Sequence, residues 1–307
     1  MTHTEPDYPI GTPGQAWGEI ERAQWLSAQS VQRFYQSHVL DRLTGIDASL
    51  EIIQYGTLST DPERYPLMAA QPKSFDASKP TALITGGVHG YETSGVQGAI
   101  RFLTSKAMDY VDHYNIVVAP CISPWAYETI NRWNAFALDP NRLFIDNSPC
   151  QESELLMAFV VSVPFKIDVH IDLHETTDTD NTEFRPALAA RDNVFHPFWE
   201  IPDGFYLVGD TENPCHDFQQ HIIGEVAKVT HIAPSDKSGR IIGAAITQPG
   251  VINYATSKLG LCTGFTQAKF NSTTEVYPDS PRVDDENCIV AQVTAVCAGL
   301  DYALSKV

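Results

Sequence analysis

TALITGGVHGYE, residues 81–92, predicts a short buried strand that continues into a glycine-rich turn. The apolar run covers residues 81–85, and glycines follow at positions 86, 87 and 90. The next segment, residues 93–103, predicts a helix. A strand, a glycine-rich loop and a helix in this order form the first half of a βαβ unit. The sequence therefore predicts an α/β fold.

Other short apolar or β-branched runs predict the remaining strands of a sheet. They lie at residues 50–55 and 65–70, which form a hairpin, and at 114–120, 165–173, 204–209 and 270–276. Helical spacing of apolar residues covers 17–43 and 285–305. This alternation predicts a mixed, mostly parallel central sheet with helices on both faces. Because no repeat or composition shift marks a boundary, we expect a single catalytic domain over 1–307, with an N-terminal helical lead-in at about 1–45.

Composition and charge exclude several classes of function. The formal net charge of -18 argues against binding to nucleic acid, whose phosphates would be repelled. The N-terminal residues have neither the basic nor the apolar region of a signal peptide, and we predict no membrane-spanning segment. None of the six cysteines forms a C-x-x-C pair, which excludes a zinc ribbon. We therefore expect a cytoplasmic protein that binds neither nucleic acid nor membrane.

Two candidate metal ligands lie in the glycine-rich turn. His89 and Glu92 are three residues apart, and glycines allow such a turn to bring both side chains to one point. Catalytic zinc sites commonly use two histidines and a carboxylate. His174 is the best third ligand, because it follows a predicted strand, and such sheets bind ligands at the carboxyl ends of strands. His170 is an alternative ligand, although its mid-strand position favours a buried core histidine.

Four segments, in the same order along the chain, resemble the zinc carboxypeptidase family. They are GGVHGYE at 86–92, NRWN at 131–134, DPNRLF at 139–144 and DLH at 172–174. The first three resemble the family patterns G-x-H-x-x-E, N-x-R-Y-N and D-x-N-R-x-F. The fourth is closest to the succinylglutamate desuccinylase and aspartoacylase branch. The resemblance covers the chain from about residue 50 onward and implies a zinc carboxypeptidase-like fold.

The resemblance implies a metal site with a supporting carboxylate. One zinc ion per chain would be held by His89, Glu92 and His174. Asp139 would accept a hydrogen bond from His89 and so fix the tautomer of that ligand. The metal site is therefore expected to include a fourth residue that does not itself bind the ion.

Three further residues take substrate roles by the same resemblance. Arg132 would stabilise the oxyanion of the tetrahedral intermediate together with zinc. Asn141 and Arg142 would bind a carboxylate of the substrate, Arg142 through a bidentate pair. Residue type alone would favour surface salt bridges for both arginines, and only the motif context gives them these roles.

The resemblance also requires a general base on a late strand. Glu275, in STTEVYP at 272–278, fits this position because prolines and the last helix follow it. An alternative counterpart is FTQ at 265–267, which has no glutamate where family members often have F-T-x-E, and the base would then be missing. Tyr254 is a candidate for the tyrosine that covers the substrate in digestive carboxypeptidases, although a core or rim aromatic is its simpler interpretation.

These residues predict a zinc-dependent hydrolase of amide bonds next to a free carboxylate. The substrate is either the C-terminus of a peptide or a small N-acyl amino acid, and the sequence leaves both open. In the mechanism that the resemblance implies, Glu275 takes a proton from water and passes it to the leaving amine. The alternative hypothesis is a catalytically impaired pseudo-enzyme that binds zinc and a carboxylate ligand.

Overall fold

A ten-stranded sheet organises the computed structural model, which describes residues 8–196 and 199–306. The strands in this part of the chain are β1 (Leu50–Thr57), β2 (Pro66–Pro72), β3 (Thr81–Gly86), β4 (Asn115–Ala119), β5 (Ile167–Glu175), β6 (Tyr206–Asp210), β7 (Arg240–Ile241), β8 (Ala244–Gln248), β9 (Val251–Tyr254) and β10 (Phe270–Val276). Their order is β1-β2-β4-β3-β5-β10-β6-β9-β8-β7. The sheet is mixed, as predicted, and its four central strands β4, β3, β5 and β10 run parallel.

Helices cover both faces of this sheet, which confirms the prediction. The α-helices of the described residues are α1 (Glu19–Ser27), α2 (Tyr35–His38), α3 (Thr93–Ser105), α4 (Pro124–Thr129), α5 (Gln151–Ser162), α6 (Arg185–Asp192), α7 (His216–Val226), α8 (Cys262–Phe265) and α9 (Asp285–Leu304). Neighbouring residues of a strand face opposite sides of a sheet. Ile84 shares an apolar cluster with residues of α3 and α9, whereas Leu83 shares another with Phe159 of α5.

The helix α9 is the longest helix of the described residues and packs against α3 and α7. By length and composition alone it could span a membrane, since its mean hydropathy is 1.3. However, 56% of this stretch is buried inside the protein. A mostly buried apolar helix is typical of a protein core.

The N-terminal lead-in is made of short helical segments, although helical spacing of apolar residues extends over 17–43. It forms α1, then the single turn of α2 and a short 3-10 helix, with non-helical residues between them. The chain leaves the helical path because Glu128 binds it: the Gln32 N–H donates to the Glu128 carbonyl, and the Tyr35 N–H donates to Glu128 Oε1, both at 2.8 Å. Residues 1–7 of the predicted lead-in lie outside the described residues.

The hairpin of β8 and β9 is absent from the sequence prediction. Gln248 pairs with Val251 across a turn formed by Pro249 and Gly250, and Gly250 has a φ of +71°. A Pro-Gly pair is a strong turn signal, and it could have revealed this hairpin. By contrast, the predicted hairpin of β1 and β2 is confirmed.

Candidate active site

Three residues predicted as metal ligands converge where β3 and β5 end. The candidate ligand atoms of His89, Glu92 and His174 all lie within 4.8 Å of one another, and all three side chains are buried. Glu92 lies between the histidines. Its Oε1 is 2.7 Å from His89 Nδ1, and its Oε2 is 2.7 Å from His174 Nδ1.

Glycines shape the turn that carries two of these residues. Gly87 has a φ of +63°, a backbone conformation that residues with a side chain rarely adopt. At Gly90, an added Cβ atom would lie 2.0 Å from the carbonyl carbon of Ala126 in α4. The close approach of the turn to α4 therefore requires glycine at position 90. This approach sets the path of the chain between His89 and Glu92.

His174 lies inside β5, whereas we predicted it just past the end of that strand. The strand continues to Glu175 because β10 still pairs with it, and Glu275 is the register partner of His174. Side chains alternate along a strand, so His174 shares a face of the sheet with Asp172. The third candidate ligand is thus held by the sheet itself.

A carboxylate orients each histidine. His89 Nε2 donates to Asp139 Oδ1 at 3.0 Å, as the resemblance implied. His174 Nε2 donates to Asp172 Oδ2 at 2.7 Å, a contact that the sequence analysis missed. Such carboxylate partners fix the tautomer and ring orientation of metal-binding histidines. The spacing of Asp172 and His174, two residues apart on a strand, is the signal that could have revealed this pair.

The buried carboxylate of Glu92 fits a cation. Burial alone would raise its pKa, but the charges of His174 and His89 lower it to about 2. Despite its contact with His174, Glu92 Oε2 accepts no hydrogen bond from any described residue. This buried oxygen has only the ion-pair contact with His174, and a bound cation would give it a further partner. Two imidazole nitrogens and a carboxylate are a donor set that suits zinc.

Glu275 lies beside this group on the next strand. Thr176 Oγ1 donates to Glu275 Oε2 at 3.0 Å, and the Tyr206 hydroxyl lies 2.6 Å from the same Thr176 oxygen. Burial raises the pKa of Glu275 to about 8, although the positive charge of His174 opposes this shift. A carboxyl group with such a pKa can both accept and donate a proton near neutral pH.

The alternative counterpart, Gln267, lies elsewhere. It precedes β10, which begins at Phe270, whereas Glu275 is near the other end of that strand. Gln267 is exposed and does not line the cavity that contains Glu275. It is therefore remote from the candidate metal ligands.

Arg132 lies in the cavity, within an ion-pair network. Its Nε donates to Asp139 Oδ2 at 3.1 Å, and its Nη1 donates to Asp180 Oδ1 at 3.3 Å. Burial disfavours the charged guanidinium, but the nearby carboxylates raise the pKa of Arg132 well above its ordinary value. Asp180 was not among the predicted site residues, and no sequence spacing links it to Arg132.

Asn141 and Arg142 lie on the same wall of the cavity. Asn141 Oδ1 accepts a hydrogen bond from the Cys262 N–H at 2.8 Å, which leaves its amide nitrogen without a partner among the described residues. Arg142 Nη1 donates to the carbonyl of Asn141 at 2.7 Å, and no described carboxylate lies within ion-pair distance of it. Tyr254 also lines this cavity, and burial raises the pKa of its hydroxyl.

His170 is a core histidine, as its mid-strand position favoured. Its Nε2 lies 3.1 Å from Thr85 Oγ1, and its Nδ1 lies 3.0 Å from Thr266 Oγ1. Burial lowers its pKa to about 4, so the ring is neutral at neutral pH. It does not belong to the group of candidate ligands.

Gln292 of α9 supports the site from behind the sheet. Its Nε2 donates to the carbonyl of His174 at 2.8 Å, and its Oε1 accepts from Thr274 Oγ1. Gly98 of α3 allows this approach, because an added Cβ there would lie 2.7 Å from the Gln292 Cβ. This fully buried glutamine therefore joins α9 to the ends of β5 and β10.

All eight predicted site residues line one cavity of about 760 Å³. They are His89, Glu92, Arg132, Asp139, Asn141, Arg142, His174 and Glu275. This volume is within the range of pockets that take small molecules or short peptide ends. The structure brings the predicted residues together, and their individual roles stay predictions.

Comparison by sequence finds neither a family model nor a curated protein that matches this chain. Comparison by structure gives similar folds. A protein from Shewanella amazonensis, assigned as a metallopeptidase, has a TM-score of 0.62 and 19% identity, with 92% of this chain and 93% of that chain covered.

Two metallo-carboxypeptidases are also similar in structure. The enzyme from Burkholderia cenocepacia has a TM-score of 0.58 and 14% identity, with 95% of this chain and 70% of that chain covered. The enzyme from Pseudomonas aeruginosa, in complex with (2-guanidinoethylmercapto)succinic acid, has a TM-score of 0.58 and 16% identity, with 94% of this chain and 70% of that chain covered. This chain therefore has a metallo-carboxypeptidase-like fold, whereas its closeness to the desuccinylase and aspartoacylase branch stays a prediction.

Proposed function

We propose that this chain is a zinc-dependent hydrolase that cleaves an amide bond next to a free carboxylate. The observation that carries this proposal is the convergence of His89, Glu92 and His174 beside Glu275 in one cavity. Structural likeness at this level of identity supports the fold alone, so the function rests on the site. Arg142, in the same cavity, supplies a cation for the carboxylate of the substrate.

His89, Glu92 and His174 would hold the zinc ion. Asp139 and Asp172 already orient the two histidines so that the Nδ1 atom of each faces Glu92. When bound, zinc polarises the carbonyl of a substrate and makes water more acidic. Three protein ligands would leave one coordination position for water or substrate, as is usual in catalytic rather than structural zinc sites.

Glu275 would act as the general base. Its carboxyl takes a proton from the attacking water and then gives it to the leaving amine, which balances the proton over the reaction. The hydrogen bond from Thr176 fixes one carboxylate oxygen, so the other is available to water.

Two arginines would bind the substrate at different points. Arg132 would donate to the oxygen that becomes negative in the tetrahedral intermediate. Arg142 would bind the free carboxylate, and Asn141 would donate its amide nitrogen to the same group. A buried ion pair with a carboxylate would also supply the anionic partner that Arg142 lacks among the described residues.

Substrate class is tested with three matched compounds and a chelator. The compounds are an acylated dipeptide with a free carboxylate, its C-terminal amide, and the N-acetyl derivative of its C-terminal amino acid. The first two share one amide bond and differ in the carboxylate, whereas the third keeps the carboxylate and replaces the acylated residue with acetyl. We expect cleavage of the first, little cleavage of the second, and loss of activity with a chelator that zinc reverses. Cleavage of the third alone would assign the chain to the N-acyl amino acid class.

The pseudo-enzyme hypothesis predicts a different result in the same assay. A protein that binds zinc and a carboxylate without catalysis would bind the dipeptide and release no product. The remote position of Gln267 and the presence of Glu275 beside His174 favour the enzyme. Binding with no cleavage of any of the three compounds would favour the pseudo-enzyme.

A further inference from the structure

Arg132 has three guanidinium nitrogens, and the surrounding residues hold two of them. Nε donates to Asp139 Oδ2, and Nη1 donates to Asp180 Oδ1 and, at 3.4 Å, to the Tyr91 hydroxyl. Nη2 donates to no residue of the described chain. This nitrogen is therefore the one available to a substrate in the cavity.

Asp139 cannot fix the guanidinium alone, because it has other partners. Its Oδ1 accepts from His89 Nε2 and from the Asn141 N–H, both at 3.0 Å, and only Oδ2 reaches Arg132. One hydrogen bond at Nε leaves the rest of the guanidinium free to tilt. A second carboxylate is needed to define its plane.

Asp180 is itself held in place. The Thr177 N–H donates to Asp180 Oδ2 at 3.0 Å, and the Tyr91 hydroxyl donates to Asp180 Oδ1 at 3.1 Å. Asp180 begins a short π-helical segment, Asp180–Phe184, that follows β5. The ring of Tyr91 packs against Phe184 of this segment, with 4.7 Å between ring centroids.

We propose that Asp180 is a positioning residue that, together with Asp139, holds Arg132 so that Nη2 faces the reacting carbonyl. The inference rests on the proposed function, because it assigns Arg132 to the oxyanion. The side chains of Arg132 and Asp180 are only 18% and 16% exposed, so solvent weakens their pairing less than at the surface. A preorganised donor is more effective than one that must be ordered during the reaction.

The first test replaces Asp180 with Asn and leaves its size unchanged. We expect kcat to fall about 10- to 100-fold, the range for loss of a charge-assisted hydrogen bond, with KM changed less than about threefold. Zinc content should stay the same. The matched control is Asp178→Asn on the same turn, since Asp178 is exposed and accepts from the Tyr277 hydroxyl. Equal loss in both variants would overturn the proposal.

A double-mutant cycle separates positioning from a general structural role. In an Arg132→Ala background, Asp180→Asn should change kcat by less than about twofold, because the group that Asp180 positions is gone. A loss as large as in the wild-type background would show that Asp180 acts on something other than Arg132. Asp180→Glu, which keeps the charge but moves it, should recover only part of the activity.

A measurement without substrate keeps this inference independent of the proposed function. The Nε–Hε signal of Arg132 in 15N-labelled, zinc-loaded protein reports how far the guanidinium is ordered. We expect that order to fall in Asp180→Asn and to stay unchanged in Asp178→Asn. An unchanged Arg132 signal in Asp180→Asn overturns the positioning role. Absence of hydrolysis by the wild-type protein, with the expected change in order, overturns only the assigned reaction.

Discussion

Glu275 and His174 are register partners on the adjacent parallel strands β10 and β5. The candidate base and a candidate metal ligand are therefore held together by the hydrogen bonds of a sheet, and not by the conformation of a loop. Sites on strands are more rigid than sites on loops. This relationship makes the following predictions sensitive to single substitutions.

Replacing Glu275 with Gln should abolish most hydrolysis without unfolding the protein. The change keeps the volume of the side chain but removes its ability to accept a proton, so we expect turnover to fall by about 10²- to 10⁴-fold. Zinc content, and the melting temperature of the zinc-loaded protein, should be nearly unchanged. Gln267→Ala is the control and should behave as wild type. Loss of activity in Gln267→Ala alone would show that hydrolysis requires Gln267 and not Glu275.

Purified protein should contain about one zinc ion per chain. His89→Ala and His174→Ala should each lose the metal, because two protein ligands hold zinc poorly. His170→Ala is the matched control, since its ring bonds to Thr85 and Thr266 instead. Metal analysis of the four proteins is the measurement. Stoichiometric zinc in His174→Ala, with loss of zinc in His170→Ala, would show that His170 is the third ligand and that our assignment of His174 is wrong.

Asp172→Asn should weaken zinc binding about 10- to 100-fold, because the carboxylate that orients His174 is lost. Asp168→Asn on the same strand is the control, as Asp168 accepts from the Thr81 N–H instead. Competition with a chelating dye measures both affinities. A similar affinity in the two variants would mean that the backbone alone orients His174.

Arg142→Lys should raise KM for a substrate with a free carboxylate much more than for its amide. A lysine ammonium is a point charge and cannot form the bidentate pair. Arg101→Lys serves as the control, because Arg101 pairs with Glu286 on the surface, outside the cavity. Equal changes in KM for both substrates would leave Arg142 without a role in binding the carboxylate.

The metal-free protein should lose stability as the pH rises, through Glu275. Its pKa is about 8 in the folded chain and 4.5 ordinarily, so its contribution to stability is present below about pH 4.5 and is lost as the pH approaches 8. Glu275→Gln has no such titration. We therefore measure the melting temperatures of Glu275→Gln and of wild type in the presence of a chelator. The difference between them, variant minus wild type, should increase by about 3 to 6 °C from pH 5 to pH 8. Parallel profiles of melting temperature against pH for the two proteins would contradict this role of Glu275.

Most of the sheet was predictable because its central strands are short apolar or β-branched runs with clear ends. Residues 81–86 and 270–276 are examples, and the polar residues at their ends include the candidate site. The breaks between the helical segments of the lead-in over 17–43 were not predictable, because periodicity cannot show that Glu128 binds the chain at Gln32 and Tyr35. Tertiary contacts of this kind override local helical preference.

The candidate site was predictable only where residues lie close in sequence or belong to a motif. His89 and Glu92 meet because a short turn joins them, whereas Arg132 and Asp180 are far apart in the chain and meet only in the fold. No periodicity or spacing indicates such a contact. Gln292 is similar, since an isolated glutamine in an apolar helix gives no sign that it binds the strand of His174.

The contact between Gln292 and His174 also affects the order of events during synthesis of the chain. All ten strands of the described sheet precede α9 along the sequence, and so do the candidate metal ligands. A nascent chain that has all these strands still lacks the helix that covers α3 and secures the end of β5. Because domains generally fold as units as they are synthesised, the cavity would be completed only after α9 emerges. The contacts that secure the ends of β5 and β10 would therefore come from the part of the described chain that is made last.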